Sequence, residues 1–219
     1  MKPAAHLEFL CEERSMEITL ALVLPQLLPA DVTYEIRVFA GKQDLFRKLE
    51  QRMRGYASWA SGGGLGICVL LDEDREDCRE LKGRMEQAAA GAGLATKSLP
   101  GADGNFHVLN RIVVEELEAW FLGDGAAVCG AYPSVSAHFG QRAAYRDPDA
   151  VKGGTAEALE RLLIRAGYHG GGLRKTEAAY QIASRMDAER NTSGSFQTFR
   201  SGLAALVATV TSQDEPDAA

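Results

Sequence analysis

Apolar positions along the chain fall into runs of two different periods, one typical of strands and the other of helices. His6 to Cys11 is short and mostly apolar, Val32 to Phe39 alternates, and Ile67 to Leu71 is apolar throughout. These runs predict three strands, the last buried on both faces as in a parallel sheet. Leu94 to Leu99 predicts a weaker strand, and Val108 to Val114 predicts another.

Segments with a helical period lie between these strands. Ser15 is placed to cap a first helix that runs towards Leu28. Apolar residues three or four positions apart predict a second helix over Leu45 to Tyr56 and a third over Cys78 to Ala88.

From Tyr132 onward the chain has helical periods only, and one short helix precedes this region. A short helix is expected around Trp120, with the indole ring in the core and Glu118 on the solvent side. Three amphipathic helices then follow Tyr132. Their apolar faces run from Leu159 to Ala166, from Ala179 to Met186 and from Phe196 to Leu206.

The alternation of strands and helices predicts an α/β fold with a mainly parallel sheet flanked by helices and joined by right-handed crossovers. Residues 1–131 are expected to form this α/β domain, residues 132–211 a helical extension packed on it, and residues 212–219 a flexible tail. In such sheets ligands bind beyond the carboxyl ends of the strands, where the strand order reverses. The residues at those ends are therefore the candidates for function.

The composition indicates a globular cytoplasmic protein. Of its 219 residues, 46% are hydrophobic and 25% are charged, enough for a normal buried core. The stretch from Ile18 to Leu28 contains Pro25 and is shorter than the ~20 residues that a membrane span needs. No signal-peptide pattern is seen at the N-terminus. The four cysteines lack C-x-x-C spacing, which argues against a zinc site and favours a reduced setting.

The net charge of −6 argues against a general nucleic-acid coat protein. The charge is uneven, because residues 139–200 carry ten basic and seven acidic side chains. This distribution is compatible with an acidic metal site beside a phosphate-binding surface. Ordinary surface variation would also explain it.

Acidic residues follow three of the predicted strands. They are Glu12 and Glu13 after the first strand, Asp72, Asp74 and Asp77 after the third, and Glu115, Glu116 and Glu118 after the run that ends at Val114. Unpaired carboxylates gathered at one sheet edge raise each other's pKa, and a hard divalent cation removes that cost. The pattern predicts a site for Mg²⁺ or Mn²⁺.

Helix capping is the alternative explanation for part of this pattern. Asp74 would cap the following helix, with Asp77 in its first turn, and the helix dipole would favour both. Asp72 ends a fully apolar strand, so capping does not account for it. Metal binding is therefore favoured for Asp72 and Asp74, and the two explanations stay open for Asp77.

Other catalytic motifs do not fit the chain. The strand that ends at Asp72 resembles a Walker B strand, but Gly41-Lys42 is not part of a P-loop. An aspartyl-nucleophile phosphatase would need D-x-D where Glu12-Glu13 stands. The four histidines show no ligand spacing, and no G-x-S-x-G elbow occurs.

A Glu after the first strand and D-x-D after the third resemble the Toprim domain of topoisomerases, DnaG-type primases and OLD-family nucleases. The first motif runs from Cys11 to Glu17 and has Glu13 where the family usually has glycine. We expect Glu12 to be the functional carboxylate, because it directly ends the strand.

Nearly the whole chain resembles the prokaryotic domain-of-unknown-function family 4276. The shared features are Gly41-Lys42 with Leu45, the acidic turn Asp72 to Asp77, Glu118-Ala119-Trp120, Lys175, and Phe196 with Phe199. The resemblance implies a Toprim-like, Rossmann-like nuclease fold, often found beside an ATPase partner in anti-phage systems.

The expected function is metal-dependent hydrolysis of phosphodiesters in DNA or RNA. Asp72 and Asp74 would hold Mg²⁺ or Mn²⁺, with Glu118 or Asp77 placing a second ion, and Glu12 would act as general base or further ligand. The alternatives are a non-catalytic Toprim-like regulatory or interaction subunit, and nucleotidyl transfer.

Three basic residues are candidates for substrate contacts. Lys42 would bind a phosphate or begin a helix on its solvated face. Arg174 and Lys175 would steer a phosphate backbone or lie on a solvated helix face. Expected partners are therefore a nucleic acid and an ATPase, with homo-oligomers also allowed and no membrane.

Overall fold

A computed structural model describes residues 4–60 and 62–212 of the protein. Its four strands are β1 (Ala5–Cys11), β2 (Val32–Val38), β3 (Leu65–Asp72) and β4 (Val108–Val113). Its helices are α1 (Arg14–Leu27), α2 (Lys42–Ala60), α3 (Cys78–Ala90), α4 (Glu118–Leu122), α5 (Gly125–Ala131), α6 (Thr155–Arg165), α7 (Lys175–Ala183) and α8 (Gly194–Ser212). Three short 3-10 turns, Phe139–Gln141, Ala143–Tyr145 and Pro148–Ala150, precede α6.

The strands form one parallel sheet in the order β2-β1-β3-β4. The predicted α/β class with a parallel sheet flanked by helices is therefore confirmed. The chain passes from β1 to β2 in one direction and then crosses back over β1 to reach β3. The strand order consequently reverses between β1 and β3, which is where such sheets bind ligands.

Alternating residues of the central strands pack into two apolar cores, one on each face of the sheet. On β1, Leu7 and Phe9 pack into the core that contains α1 and α8, whereas Leu10 packs into the core formed with α2 and α3. The same alternation on β3 places Cys68 in the first core and Val69 in the second. Because both sides of β3 are covered by helices, all eight of its residues are buried.

The C-terminal helices join the first of these cores. Helix α8 lies against β3 and β4, and α7 lies against α1. The indole ring of Trp120 stacks on Phe199, meets Phe196 edge to face, and donates a hydrogen bond to Ser195 Oγ at 3.0 Å. These contacts confirm Trp120 as a core residue. They also hold α4, which follows β4 in the chain.

Several local expectations are wrong. Leu94 to Leu99 is not a strand, because Thr96 and Leu99 exchange backbone hydrogen bonds across a tight turn and only Thr96 bridges to Val108. Helix α1 begins at Arg14 with Glu13 at the N-cap, so Ser15 lies inside the first turn. Glu118 is 1% exposed rather than solvent-facing.

Helix α5 has no counterpart among the predicted elements. Its residues are small, so it shows no amphipathic period, but Asp124 caps it by accepting a hydrogen bond from Ala127 N at 3.1 Å. The predicted tail falls mainly on residues 213–219, outside the described part of the chain. Within residues 4–60 and 62–212, none of the helices has the length and apolarity that crossing a membrane requires.

Candidate functional site

Two acidic residues meet where the strand order reverses. Cys11, the last residue of β1, pairs with Leu70 of β3, so Glu12 and Asp72 leave adjacent strands at nearly the same level. Both carboxylates are buried, at 8% exposure for Glu12 and 2% for Asp72. The fold thus brings together the two acids that the sequence predicted at these strand ends.

Glu118 completes this group from a third direction. Asp72 pairs with Val113 at the end of β4, and the loop after β4 leads into α4, whose first residue is Glu118. Each of the three carboxylates has one buried oxygen without a hydrogen-bond partner in the described structure: Glu12 Oε2, Asp72 Oδ1 and Glu118 Oε2. We call these three residues the carboxylate cluster. A buried acceptor left unsatisfied costs about 1–3 kcal/mol, and more when charged, so a proton or a cation bound at the cluster would relieve that cost.

The pKa values of the cluster are raised. Burial raises the pKa of Glu12 to about 7, with Asp74 and Glu13 adding to the effect and Lys42 opposing it. Burial likewise raises the pKa of Glu118 to about 7, against the opposing charge of Lys175. Asp72 is fully buried, and burial together with Glu12 and other neighbouring carboxylates raises its pKa well above the usual range.

One lysine approaches the cluster from α2. The Lys42 ammonium lies 2.7 Å from Asp74 Oδ2 and 3.0 Å from Glu76 Oε1, and only 10% of its side chain is exposed. Burial lowers the pKa of Lys42, but the hydrogen bonds to Asp74 and Glu76 outweigh it and raise the pKa above its usual value. Lys42 therefore stays charged and lowers the pKa of Glu12.

A second lysine approaches from α7. The Lys175 ammonium lies 3.3 Å from Glu116 Oε1 and 3.9 Å from Glu118 Oε1. Burial lowers the pKa of Lys175, but Glu118, Glu13 and the other nearby carboxylates outweigh this effect and raise the pKa above its usual value. The side chain is 38% exposed, so Lys175 lies at the solvent boundary of the site.

The other two acids of the predicted turn behave differently. Asp74 has a left-handed backbone with φ of 54°, and its exposed carboxylate pairs with Lys42. Asp77 occupies the N-cap of α3 and accepts a hydrogen bond from Arg79 N at 2.7 Å. The alternative explanation that Asp74 is the N-cap is therefore wrong, because the helix begins three residues later than it requires.

Backbone hydrogen bonds join the loops after β3 and β4. Asp74 N donates to Glu115 O at 2.8 Å, and Glu73 N donates to Val113 O at 2.9 Å. Glu115 N in turn donates to Glu73 Oε2 at 3.1 Å. Asp74 and Glu115 both have positive φ. Such strain in residues other than glycine persists only where surrounding contacts fix it, which keeps both loops in place beside the cluster.

Glu116 is among the acids after the predicted strands, but sequence reasoning assigned it no role of its own. It accepts hydrogen bonds from Ala156 N at 3.2 Å and from Lys175 at 3.3 Å, linking the loop after β4 to α6 and α7. Its place next to other acids after β4 was the available signal. Arg174, a predicted substrate residue, is exposed and pairs with Glu177 at 2.9 Å rather than with the cluster.

The donor set fits a hard divalent cation chemically. Within the described residues, no three His, Cys, Asp or Glu side chains are arranged closely enough to hold a metal ion by themselves. Mg²⁺ usually takes one or two protein carboxylates and keeps several waters. The unpartnered oxygens of Glu12, Asp72 and Glu118 therefore suit a largely hydrated ion better than one enclosed by protein ligands.

Comparison with known proteins gives one match. A family model described as "Domain of unknown function (DUF4276)" matches residues 11–204. No curated protein and no solved structure matches the chain significantly. The matched range begins at the end of β1 and contains every residue of the carboxylate cluster.

Proposed function

The chain belongs to the DUF4276 family, and on that premise we propose that it is a metal-dependent phosphodiesterase acting on nucleic acid. The observation that carries this proposal is the carboxylate cluster: three buried acids, each with an unpartnered oxygen, where the strand order reverses. A fold that only needed stability would gain by replacing such groups with apolar ones. Strongly raised pKa values combined with burial at a sheet edge are typical of functional sites.

Mg²⁺ or Mn²⁺ is the cation that we propose for the cluster. Bound there, it would polarise a phosphoryl oxygen and orient a water molecule. Asp72 and Glu118 supply oxygen ligands from β3 and α4, and Asp74 supplies one only when its contact with Lys42 opens. Oxygen donors and the absence of His or Cys from the cluster favour a hard ion over zinc.

The remaining groups have roles that follow from their charge. Glu12 has a pKa of about 7, so it can take up a proton from water near neutral pH. Lys42 and Lys175 stay cationic beside the cluster, where each can contact a phosphate oxygen and offset the negative charge that develops there. We propose this arrangement for phosphodiester hydrolysis and not for a general anion-binding site.

Thermal melts with and without Mn²⁺ test the proposal. Metal should stabilise the wild type by about 2.7 kcal/mol at a hundredfold excess over Kd, and should stabilise Asp72→Asn far less. Asp103→Asn makes the same chemical change in an exposed loop, and this control should respond like the wild type. A metal response that is unchanged in Asp72→Asn would overturn the proposal. A wild type that does not respond at all would favour the non-catalytic interaction subunit.

A further inference from the structure

A basic cleft lies between the segment 142–152 and helix α6. It has a volume of about 520 Å³, and its lining includes Arg142, Tyr145, Lys152, Arg161 and Arg165 but no acidic side chain. We propose that this cleft binds the phosphate backbone of the nucleic acid whose scissile bond lies at the carboxylate cluster. This inference rests on the proposed function and names the surface that holds its substrate.

The four cations of the cleft have no protein partners in the described part of the chain. Arg142, Lys152, Arg161 and Arg165 are exposed, and none of their charged groups forms an ion pair or a side-chain hydrogen bond with a described residue. Other basic residues do have partners: Arg190 contacts Asp124 at 2.8 Å, for example. The cleft cations are thus available to an external anion.

Two acids close to these cations in sequence have partners outside the cleft. Asp149 accepts hydrogen bonds from the Ser193 hydroxyl at 2.7 Å and from Ser195 N at 3.0 Å. Glu160 accepts one from Leu173 N at 2.9 Å. These contacts hold carboxylates away from the cleft although the chain as a whole carries a net charge of −6. Like charges gathered without counter-ions repel one another, and a polyanion relieves that repulsion.

The basic cleft adjoins a second, acidic cleft through a glycine pair. A Cβ built on Gly153 would lie 3.9 Å from Arg161 Nη2. Gly153 and Gly154 also line this second cleft of about 500 Å³, together with Arg75 and the acids Asp74, Glu115, Glu116 and Glu157. Both glycines have positive φ, and the Glu157 carboxylate lies where a Cβ on Gly154 would stand, so this acid is at the junction of the two clefts. Glu116 of the second cleft shares Lys175 with Glu118 of the carboxylate cluster, which places the arginines and the cluster on either side of this acidic cleft.

Tyr145 adds an aromatic surface to the cations. Its ring is half-buried and meets Phe139 edge to face, with centroids 5.5 Å apart, so the ring is held in one orientation. A positively charged groove with a fixed aromatic ring is the usual combination for strands whose bases are unpaired. We therefore expect single strands to bind at least as well as duplexes.

Stabilisation of a helix dipole would explain only one of the four cations in the cleft. Arg165 lies in the last turn of α6, where a cation stabilises the helix dipole. That role does not apply to Arg142 and Lys152, which precede the helix, or to Arg161 in its middle.

A second basic surface, on α2, is less suited to phosphates. It is a groove of about 660 Å³ lined by Lys48, Arg52, Tyr56 and Trp59, among others. Lys48 already contacts Asp44 at 2.7 Å, and both Lys48 and Arg52 lie over the ring of Phe39. Its cations therefore have partners, and it serves as the matched comparison.

Fluorescence anisotropy with labelled oligonucleotides tests the inference. The full chain is titrated, in EDTA, against a 20-mer single-stranded DNA, its duplex and the equivalent RNA. Arg161→Glu/Arg165→Glu should weaken binding about tenfold or more. It should also lower the slope of log K against log salt by about 1.4 for a single strand and about 1.8 for a duplex. Lys48→Glu/Arg52→Glu makes the same change in net charge and should weaken binding far less.

Several outcomes would overturn the inference: no binding by the wild type, unchanged binding by the α6 double variant, or equal loss in both double variants. Thermal melts exclude unfolding, and Arg161→Gln/Arg165→Gln provides a milder change if the charge reversals unfold the protein. The two readouts separate this inference from the proposed function, because oligonucleotide binding is measured in EDTA and the metal response is measured in thermal melts. Cleft-dependent binding without any metal response would reject the catalytic proposal and retain the binding surface.

Discussion

The Lys42 ammonium lies 2.7 Å from the Asp74 carboxylate and joins the first turn of α2 to the loop after β3. Lys42 is nearly buried, whereas about half of the Asp74 side chain is exposed. The lysine ammonium thus neutralises the Asp74 carboxylate in the way that a bound metal ion would. Metal binding and the Lys42–Asp74 ion pair are therefore expected to compete.

Replacing Lys42 by Met should strengthen metal binding and weaken turnover. The substitution removes a competing cation, so Mn²⁺ affinity measured by titration calorimetry should rise about threefold to tenfold, or about 0.6 to 1.4 kcal/mol. Nuclease activity should fall because a phosphate contact is lost. Lys48→Met, on the same helix but paired with Asp44, is the control and should change neither quantity. Weaker metal binding in Lys42→Met would contradict the competition.

Glu12 and Glu13 should differ in catalysis. Glu12 is buried beside Asp72, whereas Glu13 is half-exposed at the N-cap of α1 and accepts a hydrogen bond from the Ser15 hydroxyl. Removing a general base costs about 10²-fold or more, so Glu12→Gln should lose nearly all hydrolysis of an active substrate. Glu13→Gln should retain most of it. Equal losses in single-turnover assays would show that the catalytic carboxylate is misassigned.

The metal-free protein should lose stability as the pH rises. Glu12 and Glu118 have pKa values of about 7 in the folded state, against a usual value of 4.5. The folded state therefore binds more protons than the unfolded state between these values, and the free energy of unfolding decreases from about pH 4.5 to pH 7. Each carboxyl contributes on the order of 3 kcal/mol across that range.

Urea unfolding at several pH values in EDTA measures this dependence. Glu118→Gln keeps the shape of the side chain and cannot ionise, so its stability should fall less steeply with pH than that of the wild type. The variant should also exceed the wild type in stability near pH 8. If the unfolding free energies of the two proteins changed in parallel with pH, the pKa of Glu118 would not be raised in the folded state.

Asp77 should act through the N-cap of α3 and not through the metal. Asp77→Ala removes the acceptor for Arg79 N and should cost about 1 kcal/mol of unfolding free energy. Asp77→Asn keeps an acceptor and should cost little. Both variants should retain the Mn²⁺-dependent rise in melting temperature. Loss of that rise in Asp77→Asn would instead identify Asp77 as a metal ligand.

The sequence by itself determined the class of fold and the ends of the central strands. The apolar run that ends at Asp72 and the one that ends before Glu12 are local patterns, because side-chain period depends only on neighbouring residues. Their positions in a βαβ order were enough to predict that both acids reach one edge of a parallel sheet. The turn at Leu94 to Leu99 shows the limit, since a short apolar run does not reveal whether a neighbouring strand pairs with it.

Only the tertiary structure decided which of the acids are buried and unpartnered. Glu118 and Lys175 approach Asp72 from α4 and α7, and Lys42 approaches from α2, which no local period encodes. The packing of Trp120 against α8 turns α4 so that Glu118 is enclosed at 1% exposure. Burial and cation contacts depend on how elements distant in sequence pack together. They determine whether a carboxylate caps a helix, pairs with a lysine or is buried without a partner.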